Sequence, residues 1–339
     1  MFEITVLNQA ETVRLLKMPD VINVVKDVYK MKASDGTVVF PLVFHEFEPG
    51  VSDMDIKSGW LKAGGIWGMK VVSWFGENPK KDLPALVGTV LVFDDKTGAP
   101  IGILDGAHIT GMRTGAAGAL GAKYLARPNA ETLLLVGAGH AAFFQVAAVL
   151  ALLPNIKQML IYDGLSFENA QKFASGLPDK LHKSFGFETA GKVSFTAVED
   201  IAAATGQSDI IITVTPAKAP IIKKEWVKPG THFSCIGADM ADKEEIDPAL
   251  FAGARVFADD IPQCVNVGEL EIPIATGVIQ KENIAGEIGE VILGKTPGRQ
   301  NDEQITIFDA TGTALLDLLT AHLALKAAKA AGVGSTINL

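Results

Sequence analysis

Leu133–Ala151 reads LLLVGAGHAAFFQVAAVLA, and the interpretation of the whole chain starts here. Four apolar residues, Leu133 to Val136, give way to Gly137, Ala138, Gly139, His140, Ala141 and Ala142, and an alanine-rich apolar run follows. The order is buried strand, glycine turn, helix. Gly137 permits the tight turn, Gly139 leaves room for backbone to approach a pyrophosphate, and Ala142 lets the helix pack closely on a sheet. The first turn of such a helix offers free N–H groups to an anion. Gly137, Ala138, Gly139, His140 and Ala141 therefore form a candidate dinucleotide cradle. A GxGxxA pattern alone is weak evidence, because glycine turns are common in α/β folds; here the flanking patterns on both sides are the right ones.

Outward from this turn, strand and helix patterns alternate. Strand candidates are Thr132–Val136, Gln158–Tyr162, Ile210–Val214, His232–Ile236 and Arg255–Ala258, each short, apolar and bounded by Gly, Pro, Asp or Asn. Strands buried on both faces read in this unalternating way, and the alternation with helices predicts a doubly wound parallel sheet of Rossmann type. The second strand runs into Asp163, about two dozen residues after the glycines, where an acceptor for the ribose hydroxyls belongs. A carboxylate there repels the 2′-phosphate of NADP, and no arginine follows closely, so the expected cofactor is NAD; the bland alternative is that Asp163 caps the next helix. Thr215, just past the Ile210–Val214 strand, and Thr114 join the candidate cofactor-binding residues. Ile305–Phe308 is a further strand leading into a final helix over Ala314–Ala330. The stretch Phe173–Thr196 has no readable boundaries.

The first third has a different texture. Leu15–Met31 carries a helical apolar stripe at Val21, Val24, Val25 and Val28, while Gly68–Trp74 and Gly88–Asp94 are β-branched, strand-like runs, the second followed by the turn sequence DDKTG. This predicts a mostly antiparallel sheet. From Ile109 the residues ITGMRTGAAGALGAKYLA suit a long, closely packed helix linking two domains.

Composition sets outer limits. The 339 residues exceed what one core usually organises, and 48% apolar content with 34 glycines fits a compact α/β enzyme. The net charge of −9 and the lack of any basic stripe exclude nucleic acid as an expected partner. Cys235 and Cys264 have no CxxC spacing and the six histidines no HExxH pair, so no metal is expected. The start resembles no secretory signal, and the run Ala141–Leu153 is too short to span a bilayer. A cytoplasmic protein without membrane contact is expected.

Five ordered segments, GMKVVSWFGENP (Gly68–Pro79), GILDGAHITGMRTGAAGALGAKYLA (Gly102–Ala126), the VGAGHAAFFQ loop, CIGADMADKEEI (Cys235–Ile246) and ITIFDATGTALLD (Ile305–Asp317), together resemble the ornithine cyclodeaminase/mu-crystallin family. The likeness covers most of the chain. It implies that Lys70 contacts the substrate carboxylate close to the reacting carbon, that Arg113 binds the same carboxylate beside the nicotinamide, and that Asp239 is the general base or water activator. Each alone could be an ordinary solvated charge; together they are the parts imine chemistry needs, namely a cationic clamp whose planar guanidinium suits a carboxylate, a hydride face and an acid/base group. Two departures stand out. The arginine that many members carry before the lysine strand is missing from FPLVFHEFEPG (Phe40–Gly50), and the position of the ornithine-specific glutamate falls, counting back from Lys70, on Lys57. Lys57 would repel a second ammonium; it is either a further carboxylate-binding group for a substrate with more than one anion, or a solvated loop lysine.

The leading expectation is an NAD-dependent oxidoreductase acting on the C–N bond of a small amino or imino acid. A cyclodeaminase forming a cyclic amino acid with release of ammonia, and a non-catalytic binder of NAD(P)H and a small ligand, are the alternatives. The resemblance further implies a discontinuous α+β substrate-binding and dimerisation domain (1–115 with 313–339), an NAD-binding Rossmann domain (116–312), an active site in the cleft between them, and a homodimer formed through the sheet of the first.

Overall fold

The structure is a computed structural model that describes residues 2–339. It divides into two compact units, one comprising the chain up to Arg113 together with Thr313–Leu339, the other Thr114–Gly312.

The first unit opens with β1 (Glu3–Leu7) and α1 (Gln9–Leu15), which starts in a capping box: Glu11 N–H donates to Asn8 Oδ1 and Asn8 N–H to Glu11 Oε2. The stripe expected as one helix over Leu15–Met31 is two. Pro19 has no N–H to give to Leu15, so α1 stops and α2 (Met18–Lys32) restarts after an extended Lys17, burying Val21, Val25 and Val28. The strands β2 (Thr37–Val39), β3 (Val43–Glu48), β4 (Ser52–Leu61), β5 (Ile66–Phe75), β6 (Leu86–Asp94) and β7 (Pro100–Asp105) follow. The antiparallel ladder runs β2-β4-β5-β6-β7, with β3 also on β4 and β1 added in parallel to β7. The boundary between the units falls within α3 (Gly106–Leu125).

The second unit contains β8 (Thr132–Val136), α4 (His140–Leu152), β9 (Gln158–Tyr162), α5 (Phe167–Phe185), β10 (Ser194–Ala197), α6 (Ile201–Gln207), β11 (Ile210–Thr213), β12 (Lys218–Ile222), β13 (His232–Cys235), β14 (Glu244–Ile246), β15 (Arg255–Ala258), α7 (Ile261–Val267), α8 (Glu271–Ala275), β16 (Ile284–Glu287), α9 (Ile288–Ile292) and β17 (Thr306–Asp309). Its main sheet has the order β10-β9-β8-β11-β13-β17-β15-β16, parallel throughout, and β12 pairs with β14 alone. This is a Rossmann-type sheet. Chain order reverses between β8 and β11, which creates the crevice where open α/β sheets bind ligands. Residues 133–136 and 210–212 are no more than 1% exposed, which accounts for their apolar spelling. The stretch that resisted reading holds most of α5, which continues through Pro178, ends at left-handed Gly186 and precedes β10. On α3, an added Cβ at Gly115 would lie 2.2 Å from the Phe144 carbonyl, so glycine is what allows α3 and α4 to touch.

The chain then returns to the first unit as α10 (Ala314–Ala331) and β18 (Ser335–Asn338), the latter antiparallel to β1. Gly59 and Gly68 are cross-strand partners on β4 and β5. A Cβ on Gly59 would meet Leu315 Cδ2 at 2.8 Å and one on Gly68 Leu318 Cδ2 at 2.7 Å. This bare patch lets α10 lie directly on the sheet, and it sets the depth of everything α10 carries. No helix among the described residues is long and apolar enough to cross a membrane, and no group of three His, Cys, Asp or Glu among them could hold a metal.

Candidate active site

Lys70 lies two residues after Gly68 on β5, hence on the face that α10 covers. It is 2% exposed, and its ammonium donates to Asp317 Oδ1 at 3.1 Å and to Thr110 Oγ1 at 3.3 Å. Arg113, on α3, gives its Nε–H to the same Asp317 oxygen at 3.1 Å and is itself 6% exposed. Asp317 comes from α10 and is fully buried. The structure thus brings two of the expected residues together through a carboxylate that the sequence reading gave no role. Lys57 is the register partner of Lys70 in the β4–β5 ladder. Directly opposed residues share a face, so Lys57 is a half-buried strand residue beside Lys70, not a loop lysine.

Burial drives the charge balance. Desolvation first, then the nearby charges of Arg113 and Lys57, bring the Lys70 pKa down from 10.5 to about 8 against the opposing pull of Asp317. Burial pushes the Asp317 carboxyl upward, but Arg113 and Lys70 outweigh it and hold it below the usual range. Asp317 is therefore ionised, and two buried cations share its one negative charge. A guanidinium has five N–H donors. Nε is committed to Asp317, which leaves the donors of the two terminal nitrogens.

In the second unit, α4 begins at Gly139 without a side-chain cap, and a Cβ built on Gly139 meets nothing within 4 Å. The helix start is therefore uncapped by a side chain and has room beside Gly139, as a diphosphate requires. Gly137, at φ +113°, is left-handed and lies against the next loop: an added Cβ would be 2.9 Å from Val214 O and 3.2 Å from Thr215 Cγ2. Ala138, Gly139, Asp163, Leu165, Asn169 and Lys172 line part of a groove of about 530 Å³. Asp163 accepts from Leu165 N–H and Ser166 N–H, both on Oδ1, while the cap of α5 is Ser166; the helix-cap alternative for Asp163 is thus filled by another residue. His140 rests edge-on against Phe144, and burial, then Lys180, lower its pKa. Ala141 is half-buried in the first turn of α4, and Thr114 accepts from Gln145 through its carbonyl. The groove, the open helix terminus and the half-exposed carboxylate fit the diphosphate and ribose of a dinucleotide.

Asp239 stands on the turn after β13, 43% exposed at its side chain and paired with Lys243 Nζ at 2.6 Å. Thr215, after β11, gives its N–H and hydroxyl to Glu245. Sequence reasoning missed Thr110, Asp317 and Glu245. A signal existed for Asp317, a lone acid among leucines in Ala314–Leu319, where an amphipathic helix would show a polar stripe; Glu245 belongs to an acidic strand that is buried along its whole length.

Residues 3–331 match the ornithine cyclodeaminase/mu-crystallin family. An archaeal alanine dehydrogenase dimer with bound NAD superposes with a TM-score of 0.90 at 34% identity, covering 99% of both chains. The Δ1-pyrroline-2-carboxylate reductase of Thermococcus litoralis, in complex with NADH and L-proline, gives 0.90 at 32%, covering 99% of this chain and 100% of the other. The iminosuccinate reductase of Paracoccus denitrificans, in complex with NAD+, gives 0.89 at 30% with the same coverage. Each of these relatives is a dehydrogenase or reductase of an amino or imino acid solved with a nicotinamide dinucleotide. With its length matched from end to end and its fold shared, the chain belongs to the ornithine cyclodeaminase/mu-crystallin family.

Proposed function

We propose that this chain is an NAD-dependent oxidoreductase that acts on the C–N bond of a small amino or imino acid. The observation that carries the reading is the buried arrangement in which Lys70 and Arg113 share one carboxylate, Asp317, and so keep a net positive charge. Such a charge is costly to bury and is explained by an anionic ligand that completes it. Arg113 and Lys70 hold the substrate carboxylate, and Asp239 accepts or returns a proton. Gly137, Ala138, Gly139, His140 and Ala141 bind the dinucleotide phosphates, Asp163 the ribose hydroxyls, and Thr114 and Thr215 complete that site. When bound, NAD supplies the hydride exchange.

Lys57 favours a substrate with an additional anionic group and disfavours the distal ammonium of a diamino acid, because it shares a face with Lys70 and already raises the local positive charge. The dehydrogenase or reductase reading is therefore preferred to the cyclodeaminase one. Phe44, Phe47, Phe75 and Leu86, all at least 38% exposed on β3, β5 and β6, support a homodimer formed through this sheet, as does the dimeric archaeal relative. Free, buried Cys235 and Cys264 suit a cytoplasmic setting.

The test is an assay of the purified protein with NADH against iminosuccinate, Δ1-pyrroline-2-carboxylate, and ammonium with pyruvate or glyoxylate. Oxidation of NADH with one of these is expected. Ammonia release from ornithine or lysine without net NADH change would make the protein a cyclodeaminase, and NADH binding without turnover of any compound would make it a binder.

A further inference from the structure

Strands β11 and β13 are neighbours in the sheet, and the segments that leave them carry Thr215 and Asp239. The fully buried side chain of Glu245, from β14, joins the two. Its Oε1 accepts Thr215 N–H at 2.6 Å and the Thr215 hydroxyl at 2.8 Å, and its Oε2 accepts Gly237 N–H at 2.9 Å. Glycine is needed at 237, since an added Cβ would fall 2.2 Å from Thr215 O and 2.7 Å from Glu245 Cδ. The two segments are thus in backbone contact, clamped by one carboxylate. Glu245 is fixed in turn, because its own N–H and that of Ile246 donate to Glu269 Oε1 at 2.8 and 2.7 Å. Burial raises the Glu245 pKa, and the donors from Thr215 and Gly237 oppose that rise by favouring the carboxylate. Burial and then the nearby Glu245 carboxylate push the Glu269 pKa well up.

We propose that Glu245 is a positioning residue for the proton transfer at Asp239: its carboxylate holds the Gly237–Asp239 turn at a fixed spacing from Thr215 on the cofactor side. The proposal rests on the reading of Asp239 as the acid/base group. A misplacement of about 1 Å at a reacting group costs roughly 10²-fold in rate.

Glu245→Gln tests it. An amide can still accept from Thr215 or from Gly237, but its NH2 then faces the other donor, so one link of the clamp becomes repulsive. The full-length protein would be assayed with NADH and whichever imino acid in the screen above is reduced fastest. The expected result is a fall in kcat of roughly 10- to 100-fold, with KM and NADH affinity, read by fluorescence titration, moving less than about threefold. Asp239→Asn should lower kcat by roughly 10²- to 10⁴-fold, and adding E245Q to D239N should slow it by no more than about twofold further, because both act on one step. A wild-type kcat in E245Q, or a full extra loss in the double variant, overturns the positioning role. A wild-type rate in D239N instead sinks the acid/base reading itself. Should E245Q fail to fold, Glu245→Asp keeps the charge but withdraws it by about 1.5 Å, and the same comparison with D239N decides.

Discussion

Replacing Asp317 with asparagine preserves the shape of the side chain and removes the carboxylate that Lys70 and Arg113 share. The consequence can be worked through each partner. In the native protein, lowering the Lys70 pKa from 10.5 to about 8 means that its charged form costs the fold about 3 kcal/mol below pH 8. Without Asp317 the pKa falls further, and the most this can cost at pH 7 is the roughly 5 kcal/mol of keeping a lysine neutral there relative to the unfolded chain. Its share of the loss is therefore about 1 to 2 kcal/mol. Arg113 loses the charged acceptor of its Nε–H, and a lost hydrogen bond between charged groups adds about 2 to 3 kcal/mol. The total, about 3 to 5 kcal/mol at pH 7, agrees with the usual penalty for breaking a buried ion pair from one side. The sign with pH follows from the direction of the lysine shift. Because the folded pKa lies below the unfolded one, the cost of Lys70 shrinks as pH rises from about 8 to 10.5, and at pH 9 the side chain is mostly neutral in both proteins. The destabilisation should thus be smaller at pH 9 than at pH 7 by about 1 to 2 kcal/mol. Urea unfolding followed by tryptophan fluorescence reads this directly, since Trp60, Trp67 and Trp74 all lie on β4 and β5. A loss under about 1 kcal/mol at pH 7, or equal losses at the two pH values, would refute the reasoning.

Three other outcomes are expected. In the wild-type enzyme, kcat/KM for the imino acid should decline above pH about 8 as Lys70 loses its proton; a profile flat to pH 10 would remove that charge from substrate binding. Lys57→Ala should raise KM for a dicarboxylic imino acid by about tenfold or more, and should move the alkaline limb upward because Lys57 depresses the Lys70 pKa; an unchanged KM takes Lys57 out of the site. Asp163→Ser should lower the ratio of catalytic efficiency with NADH over NADPH by roughly 10- to 100-fold, the worth of a charge-assisted hydrogen bond. A wild-type preference for NADPH would contradict the role assigned to Asp163.

How much of this could be read from the sequence follows from where each signal is stored. The parallel sheet was readable because strands covered on both faces are spelled as apolar runs, and β8, β9 and β15 begin and end where their residues suggest, while β11 and β13 end one residue earlier and β17 is shifted by one residue at both ends. The α5 stripe at Ala170, Ala174, Leu177 and Leu181 is equally periodic, yet Gly176 and Pro178 within it oppose a helix on local grounds, and tertiary packing overrides them. Asp317 was harder still. Its partner Lys70 is 247 positions away, and the pairing exists only because α10 returns to lie on the bare Gly59–Gly68 patch. No local pattern encodes a contact made by topology. Lys57 shows the opposite case. Its thirteen-residue spacing from Lys70 is the register of a hairpin: Leu61 pairs with Ile66 across the turn, and counting outward on both strands brings Lys57 opposite Lys70. A gap-free count along the chain lands on the residue opposite Lys70 because it is also a count of rungs on a ladder, and a single inserted residue in the turn would change the count while leaving the pair in register.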